Sequence, residues 1–451
     1  MRSTSPRSPD EELAAFVADI GDDDLPPELV RRAERAFVDT VGVTVAGAVE
    51  GAGAIAVETT RAIGDGGPAS LIGVPGGASV TDAAFANGTA GHGLDFDDVT
   101  RGVWHPSVPM VAPILALAEA EGLSGRRAVT AYVAGYEAQC YLADALLPEH
   151  YERGWHATAT FGTVGAAVAC AVLLDVGEEA ARHAVNAAAS MPAGLKKNFG
   201  TTTKPMHAGH AARSGLTAAL LAARGHTAAA GALGTDRGFL DLYAGERVHP
   251  DAMARLGEGW ALDRDGIQVK KYPCCYFTHP AVYATQRLVD THGVDPRDVE
   301  SVRVRASQGA ADALHYDDPA SGLEAKFSMP YTVAAAAVRD RVGLEAFDDD
   351  SVGNPEVQAV RERVVFEVDP DLAYEPYHTN VAIETTGGET YERTQERPPG
   401  TPSDPLSDEE LAAKFRMCVA RADADIDADA AYRRLDALSG QSSVARVLEV
   451  L

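Results

Sequence analysis

Apolar residues recur at a spacing of three to four through the first 268 residues, the signature of helix after helix. Leu13, Phe16 and Val17 form one such set, and Val30, Ala33, Phe37 and Val41 another. Ser8-Pro9-Asp10-Glu11 predicts a helix start, with a serine cap, proline at the first position and glutamate three after the cap. Pro27 predicts the next start. Further helices are expected over 79–90, 106–121, 125–145, 158–174, 178–190, 206–224 and 227–233. They are rich in Ala and Gly, which lets helix axes approach closely. Strand-like alternation is confined to a short piece at 69–73.

The pattern changes near 268. Val299 to Ser307 alternates apolar and charged residues, as a half-buried strand does. Arg363–Val368, Asn380–Thr386 and Glu389–Glu396 read as further strands, the last two joined by a Gly387-Gly388 turn. Helices at 279–292 and 326–341 interleave with them, which makes an α+β unit. A Pro-rich linker, 397–405, follows. A last helical block begins at Ser407-Asp408-Glu409-Glu410, another capping box. The expected fold is therefore mainly α. One large all-helical domain is built from both chain ends, 1–268 and 404–451, with a smaller α+β domain over 269–403.

At 451 residues and 46% hydrophobic content the chain has ample material for a core. Its five cysteines contain no CxxC pair, so no disulfide or zinc framework is indicated and a reduced, cytoplasmic setting fits. The formal charge of −27 repels phosphate backbones, which argues against nucleic acid or an anionic membrane as partner. That acidity resembles halophile proteins. The N-terminus lacks the apolar core of a targeting segment. Residues 157–174 carry no charge, but their Thr, Gly and Ala content marks a buried helix rather than a membrane span. Only seven of the 39 basic residues are lysine, and six of those lie between 196 and 326. This is either chance clustering with surface decoration, or a need for compact ammonium groups at particular places.

Four clusters carry candidate chemistry. Asp95, Asp97 and Asp98 stand close together, as a hard-cation site or as a solvated acidic loop, and His105 follows just before Pro106. His156 stands at the entrance of the uncharged helix. Lys204 precedes Pro205 at another helix start, where backbone N–H groups favour an anion, with His207 and His210 close behind. That HxxH pair has no carboxylate partner at fixed spacing, and no metal site is expected. Lys270, Lys271, Cys274, Cys275 and His279 mark the change of domain. Together the clusters place Lys and His at helix entrances inside a very acidic chain, as a site for a small polyanion would. Walker, dinucleotide-binding, GxSxG and HExxH motifs are absent from the sequence.

The stretch from Asn87 through His92 and Asp95 to Asp98, then His105-Pro-Ser, is similar to the signature of the MmgE/PrpD family. Gly154-Trp-His156, Lys204-Pro-Met-His207, Lys270-Lys-Tyr-Pro-Cys-Cys with His279-Pro, Lys326-Phe-Ser-Met-Pro-Tyr331, and Pro405-Leu-Ser-Asp-Glu-Glu with Lys414-Phe415 extend the resemblance over nearly the whole chain, in order. The family includes 2-methylcitrate dehydratase, cis-aconitate decarboxylase and iminodisuccinate epimerase. The resemblance implies a helical domain with a smaller α+β lid, an active site in the cleft between them, a homodimer, and no cofactor.

It also implies site residues. Asp95, His105, His156 and Tyr331 are the expected catalytic set, and Lys204, Lys270, His207 and His279 the expected substrate-binding set. Where the family's decarboxylases have a threonine, four after the aspartate, this chain has Val99, with Thr100 adjacent. The expected function is a cofactor-independent hydro-lyase, 2-methylcitrate dehydratase-like, acting by α-proton abstraction on a small di- or tricarboxylate. The alternatives are cis-aconitate-type decarboxylation, epimerisation of a dicarboxylate, and a binding protein with a degenerate site.

Overall fold

A computed structural model describes residues 7–100, 103–234, 236–244, 248–249, 256, 259–374, 378–422 and 424–451. The chain divides into two compact units, residues 1–269 with 407–451, and residues 270–406. Helices dominate the first unit. The second combines helices with a sheet, so the fold is mainly α.

The main helices of the first unit's N-terminal part are α1 (Pro9–Asp19), α2 (Pro27–Gly47), α3 (Gly51–Ile63), α4 (Val80–Gly93), α5 (Val108–Ala120), α6 (Gly125–Leu146), α7 (Ala157–Leu173), α8 (Glu178–Ala188) and α9 (Thr203–Ala222). Their starts follow local chemistry. The Ser8 N–H donates to Glu11, and the Ser79 and Ser124 hydroxyls accept from the backbone N–H three residues on. A two-stranded ribbon pairs β1 (Ala69–Ser70) with β2 (Gly77–Ala78). Every residue of α7 is buried, and α6, α5 and α9 pack around it. Among the described residues no single helix is long and apolar enough to cross a membrane.

Glycine sets how closely these helices approach. Gly88 of α4 faces Gly209 of α9, so closely that a Cβ at Gly88 would lie 2.9 Å from the Gly209 Cα. A Cβ at Gly209 would lie 2.3 Å from the Phe85 carbonyl oxygen. This contact fixes the spacing between the helix that carries His92 and the helix that carries Lys204 and His207.

The helix expected over 227–233 does not form; the segment runs through turns. Gly225 and Gly231 adopt φ of 87° and 74°. The Gly231 and Leu233 N–H groups bond to Asp10 and Asn186 side chains instead of to helix carbonyls. Those partners come from α1 and α8, which no local pattern reveals.

In the second unit the sheet order is β4 (Val364–Val368), β3 (Val299–Ala306), β5 (Thr379–Thr385), β6 (Thr390–Gln395). β3 pairs parallel with β4 and antiparallel with β5. Val302 and Val304 of β3 are fully buried while Arg303 and Arg305, alternating with them, face out. Helix α10 (His279–His292) packs on β5 and β6. The helix expected over 326–341 is shorter, α11 (Met329–Val338). Ser328 caps it, its hydroxyl accepting from the Tyr331 N–H at 3.2 Å, and so ends the preceding turn at Lys326.

In the first unit's C-terminal part, α12 (Asp408–Ala422) packs on α2, and α13 (Ala428–Asp436) lies against both. Arg31 of α2 pairs with Asp408 and Asp436.

Candidate active site

The loop from Leu94 to Ser107 joins α4 to α5. Two of its residues, Asp95 and Trp104, hold φ of 52° and 68°, a costly conformation for side chains other than glycine. Backbone bonds between Thr100 and Trp104, 2.7 and 3.1 Å, close the loop, and the Trp104 ring stacks on Tyr151 at 4.7 Å. The loop is thus fixed immediately before His105. Helix α5 starts at Val108 with Ser107 as its cap, so His105 lies two residues before the cap, not on it.

The acidic cluster is not a solvated loop. Asp95, Asp97 and Asp98 are 5%, 0% and 0% exposed, and each has its own partner. Asp95 accepts from the Lys204 ammonium at 2.6 Å. Asp97 lies 2.9 Å from Nδ1 of His92 and 3.0 Å from Nδ1 of His105. Burial alone would raise the Asp97 pKa, but the two imidazoles override it and hold the carboxyl well below its usual range. Asp98 bonds to Ser107, whose hydroxyl also meets Tyr132 at 2.7 Å. Burial, with Asp39 nearby, pushes Asp98 well above its usual range. Three adjacent carboxylates therefore have three functions: to hold a cation, to orient two imidazoles, and to anchor the start of α5.

His156 caps α7, and its Nδ1 lies 3.1 Å from Nδ1 of His207 on α9. Burial, then the neighbouring His92 and Lys204, pushes His156 well below its ordinary pKa. Burial likewise brings His207 down to about 4. Both rings are neutral at neutral pH, so one donates its Nδ1–H to the other. The His92 ring stacks on His156 at 5.7 Å and meets His105 edge-on at 4.4 Å. His105 Nε2 is 3.9 Å from Asp95, which Lys204 grips. Four imidazoles, two carboxylates and one ammonium thus share one buried cluster, and Phe199 closes against His156 and Lys204.

The expected residues Asp95, His105, His156, Lys204 and His207 all lie in this cluster. His210 is not part of it; among the described residues, the group whose donor atoms approach closely enough to surround an ion is His92, Asp97 and His105. The Asp97 contacts of 2.9–3.1 Å are hydrogen-bond lengths. Val99 pairs by its backbone with Gln268, and the Thr100 hydroxyl donates to the Gly266 carbonyl at 2.7 Å.

The other expected residues belong to the second unit. Lys270 and His279 are buried, and His279 Nε2 contacts the Cys274 carbonyl at 3.2 Å. Tyr331 is fully buried; its hydroxyl donates to the Ala346 carbonyl and burial pushes its pKa up to about 12. Of the seven lysines, Lys204, Lys270, Lys326 and Lys414 are buried, so surface decoration does not account for these four; Lys197 is exposed.

Sequence reasoning passed over His92 and Lys414 as site-forming residues, and read Asp97 as a cation ligand or a solvated carboxylate rather than as a partner of two imidazoles. His92 at the end of a helix, five residues before an aspartate, is a detectable signal. Lys414 leaves none, because its partners are Asp39 and Phe96.

The first unit carries this buried His–Asp–Lys cluster, and the second is α+β. The chain belongs to the MmgE/PrpD family: its N-terminal domain model matches residues 11–250 and its C-terminal domain model residues 272–434. The second match crosses the structural boundary at 406/407 and takes in α12. Among curated relatives, the cis-aconitate decarboxylase of Homo sapiens is 26% identical over 420 residues, 90% of this chain and 86% of the relative. That of Aspergillus terreus is 24% identical over 438 residues, 90% and 88% of the two chains. A cis-aconitate decarboxylase-like protein of Aspergillus oryzae is 25% identical over 474 residues, 98% and 96%.

Proposed function

We propose that this protein is a lyase that acts on a small di- or tricarboxylate by proton transfer, with no metal or organic cofactor. The observation that carries the reading is His105, set between Asp97 on its Nδ1 side and the Asp95–Lys204 pair on its Nε2 side. A ring nitrogen 3.0 Å from an ionised carboxylate carries hydrogen, which leaves Nε2 as the atom that exchanges a proton. Lys204, a buried cation in the first turn of α9, supplies the charge that draws a substrate carboxylate.

Two reactions use this arrangement. In dehydration, Nε2 takes the proton α to a carboxylate, the C–H electrons form the double bond, and hydroxide leaves with a proton as water. In decarboxylation, the C–C bond to a carboxylate breaks, carbon dioxide leaves, and the carbon that receives the electron pair takes a proton from Nε2. The names of the relatives favour decarboxylation of a cis-aconitate-like acid. Val99, at the position where the resemblance has threonine, favours dehydration of a 2-methylcitrate-like acid. The roles read for Lys270, His279 and Tyr331 rest on the resemblance and are tested by single substitutions in the same assay.

Incubating the protein with citrate-, methylcitrate- and aconitate-type acids, followed by NMR, tests the reading. Loss of water or carbon dioxide from one acid is expected. His105→Ala should lower kcat by roughly 10²–10⁴-fold, the usual size of a general acid–base contribution. No turnover of any acid, or wild-type kcat in both His105→Ala and His156→Ala, refutes it.

A further inference from the structure

We propose that Asp97 is the positioning residue of a two-imidazole unit, in which His92 joins His105 as a second ring that presents its Nε2. The inference rests on the reading of His105 as the proton-transfer group, and extends it to His92, which that reading does not use, and to a joint hold of Asp97 on both rings.

The argument is one of donors and acceptors. An ionised carboxylate only accepts. The Asp97 carboxylate lies 2.9 and 3.1 Å from His92 Nδ1 and 3.0 Å from His105 Nδ1, fully removed from water. His92 Nδ1 is hydrogen-bonded to the carboxylate, and His105 Nδ1 stands at 3.0 Å from it as an ion-pair contact; a lone pair on either would face negative charge, so we place hydrogen on both Nδ1 atoms. When either ring is neutral, its lone pair is then at Nε2. One carboxylate sets the tautomer of two rings together.

His92 Nε2 is itself unusual. It is buried and has no hydrogen-bond partner among the described residues, and the same holds for Nε2 of His156, whose ring stacks on His92. A buried polar nitrogen without a partner is costly. Two of them in adjacent rings, beside the Asp95–Lys204 pair, mark where a bound group would supply the missing bonds. His92 also stands at the end of α4, opposite the close Gly88–Gly209 contact, so the helix packing that sets Lys204 sets this ring too.

Histidine-ring ¹⁵N NMR on the full chain at alkaline pH tests the proposal, with signals assigned by their loss in His92→Gln and His105→Gln. In the wild type both rings should be the Nδ1–H tautomer. Asp97→Asn offers one acceptor and one donor in place of two acceptors, so one of the two rings should move its hydrogen to Nε2. The kcat of that variant should fall about 10²-fold or more with a smaller change in KM, as expected when a ring is held in the wrong tautomer. A wild-type ring with Nε2–H, or an Asp97→Asn variant with both tautomers unchanged, overturns the proposal. If Asp97→Asn does not fold, the wild-type spectrum alone decides. If the tautomers behave as expected but His105→Ala keeps full turnover, the positioning stands and the functional reading fails.

Discussion

The Lys414 ammonium donates to the Phe96 carbonyl at 2.8 Å, which ties a helix near the chain's end to the loop that holds Asp95, Asp97 and Asp98. The same nitrogen lies 2.5 Å from Asp39 and 3.9 Å from the centre of the Phe96 ring. Asp39 is fully buried, and burial pushes its carboxyl up despite the lysine. Lys414→Met should therefore destabilise the fold, by up to about 3–5 kcal/mol, the cost of stranding a buried partner. Lys414→Met with Asp39→Asn should recover much of that loss. Urea unfolding of both variants checks it, and an unchanged midpoint in the single variant would mean that the pair holds nothing.

The Gly88–Gly209 contact leads to a second expectation. Gly209→Ala puts a methyl group against Phe85 and Thr89 backbone and side-chain atoms. Forcing the helices apart should cost roughly 1–3 kcal/mol. It should also lower activity, because α9 carries Lys204 and His207 while α4 carries His92. Thermal melting, and kcat/KM on whichever acid the protein converts, report the two effects separately.

Acid should weaken the fold in two stages. His207 titrates lower when folded, about 4, than its ordinary 6.5. Its contribution is full above 6.5 and is lost as pH falls towards 4. Asp97 is also lowered, so its contribution is present above its ordinary 3.8 and is lost only below that. Stability measured from pH 7 to pH 4 should fall less steeply in His207→Gln than in the wild type. Parallel slopes would contradict the burial of a neutral ring.

Glu137 works in the opposite direction. Its carboxyl accepts from the Ala261 and Leu262 N–H groups at 2.9 and 3.2 Å, yet burial raises it from 4.5 to about 7. A raised carboxyl favours the protonated folded state, so its stability contribution is lost as pH rises from 4.5 through 7. Glu137→Gln removes that dependence. The stability difference between wild type and variant should shift in the variant's favour between pH 5 and pH 8, and a constant difference refutes this.

Salt should stabilise the protein. With a formal charge of −27, going from molar salt to ~10 mM lengthens the screening distance from about 3 to ~30 Å. Self-repulsion then grows, and Tm should drop. A Tm that is unchanged or higher at low salt removes self-repulsion as a factor.

The sequence by itself determined the elements whose causes are local. Ser8 and Glu11, Ser407 and Glu410, and the alternation of β3 each act within a turn or along one strand, and the structure has those elements where the pattern places them. The order of motifs determined the family as well. The tertiary structure decided which partner each polar group found. Three aspartates within four positions look alike in sequence, but one meets Lys204, one meets two imidazoles and one meets the Ser107 hydroxyl. The loop over 227–233 has helical composition, and side chains from α1 and α8 take its N–H groups. Lys414 and Phe96 are 318 positions apart. A hydrogen bond acts over about 3 Å, so which groups meet depends on how the helices pack, and that packing is fixed by contacts between distant segments such as Gly88 with Gly209.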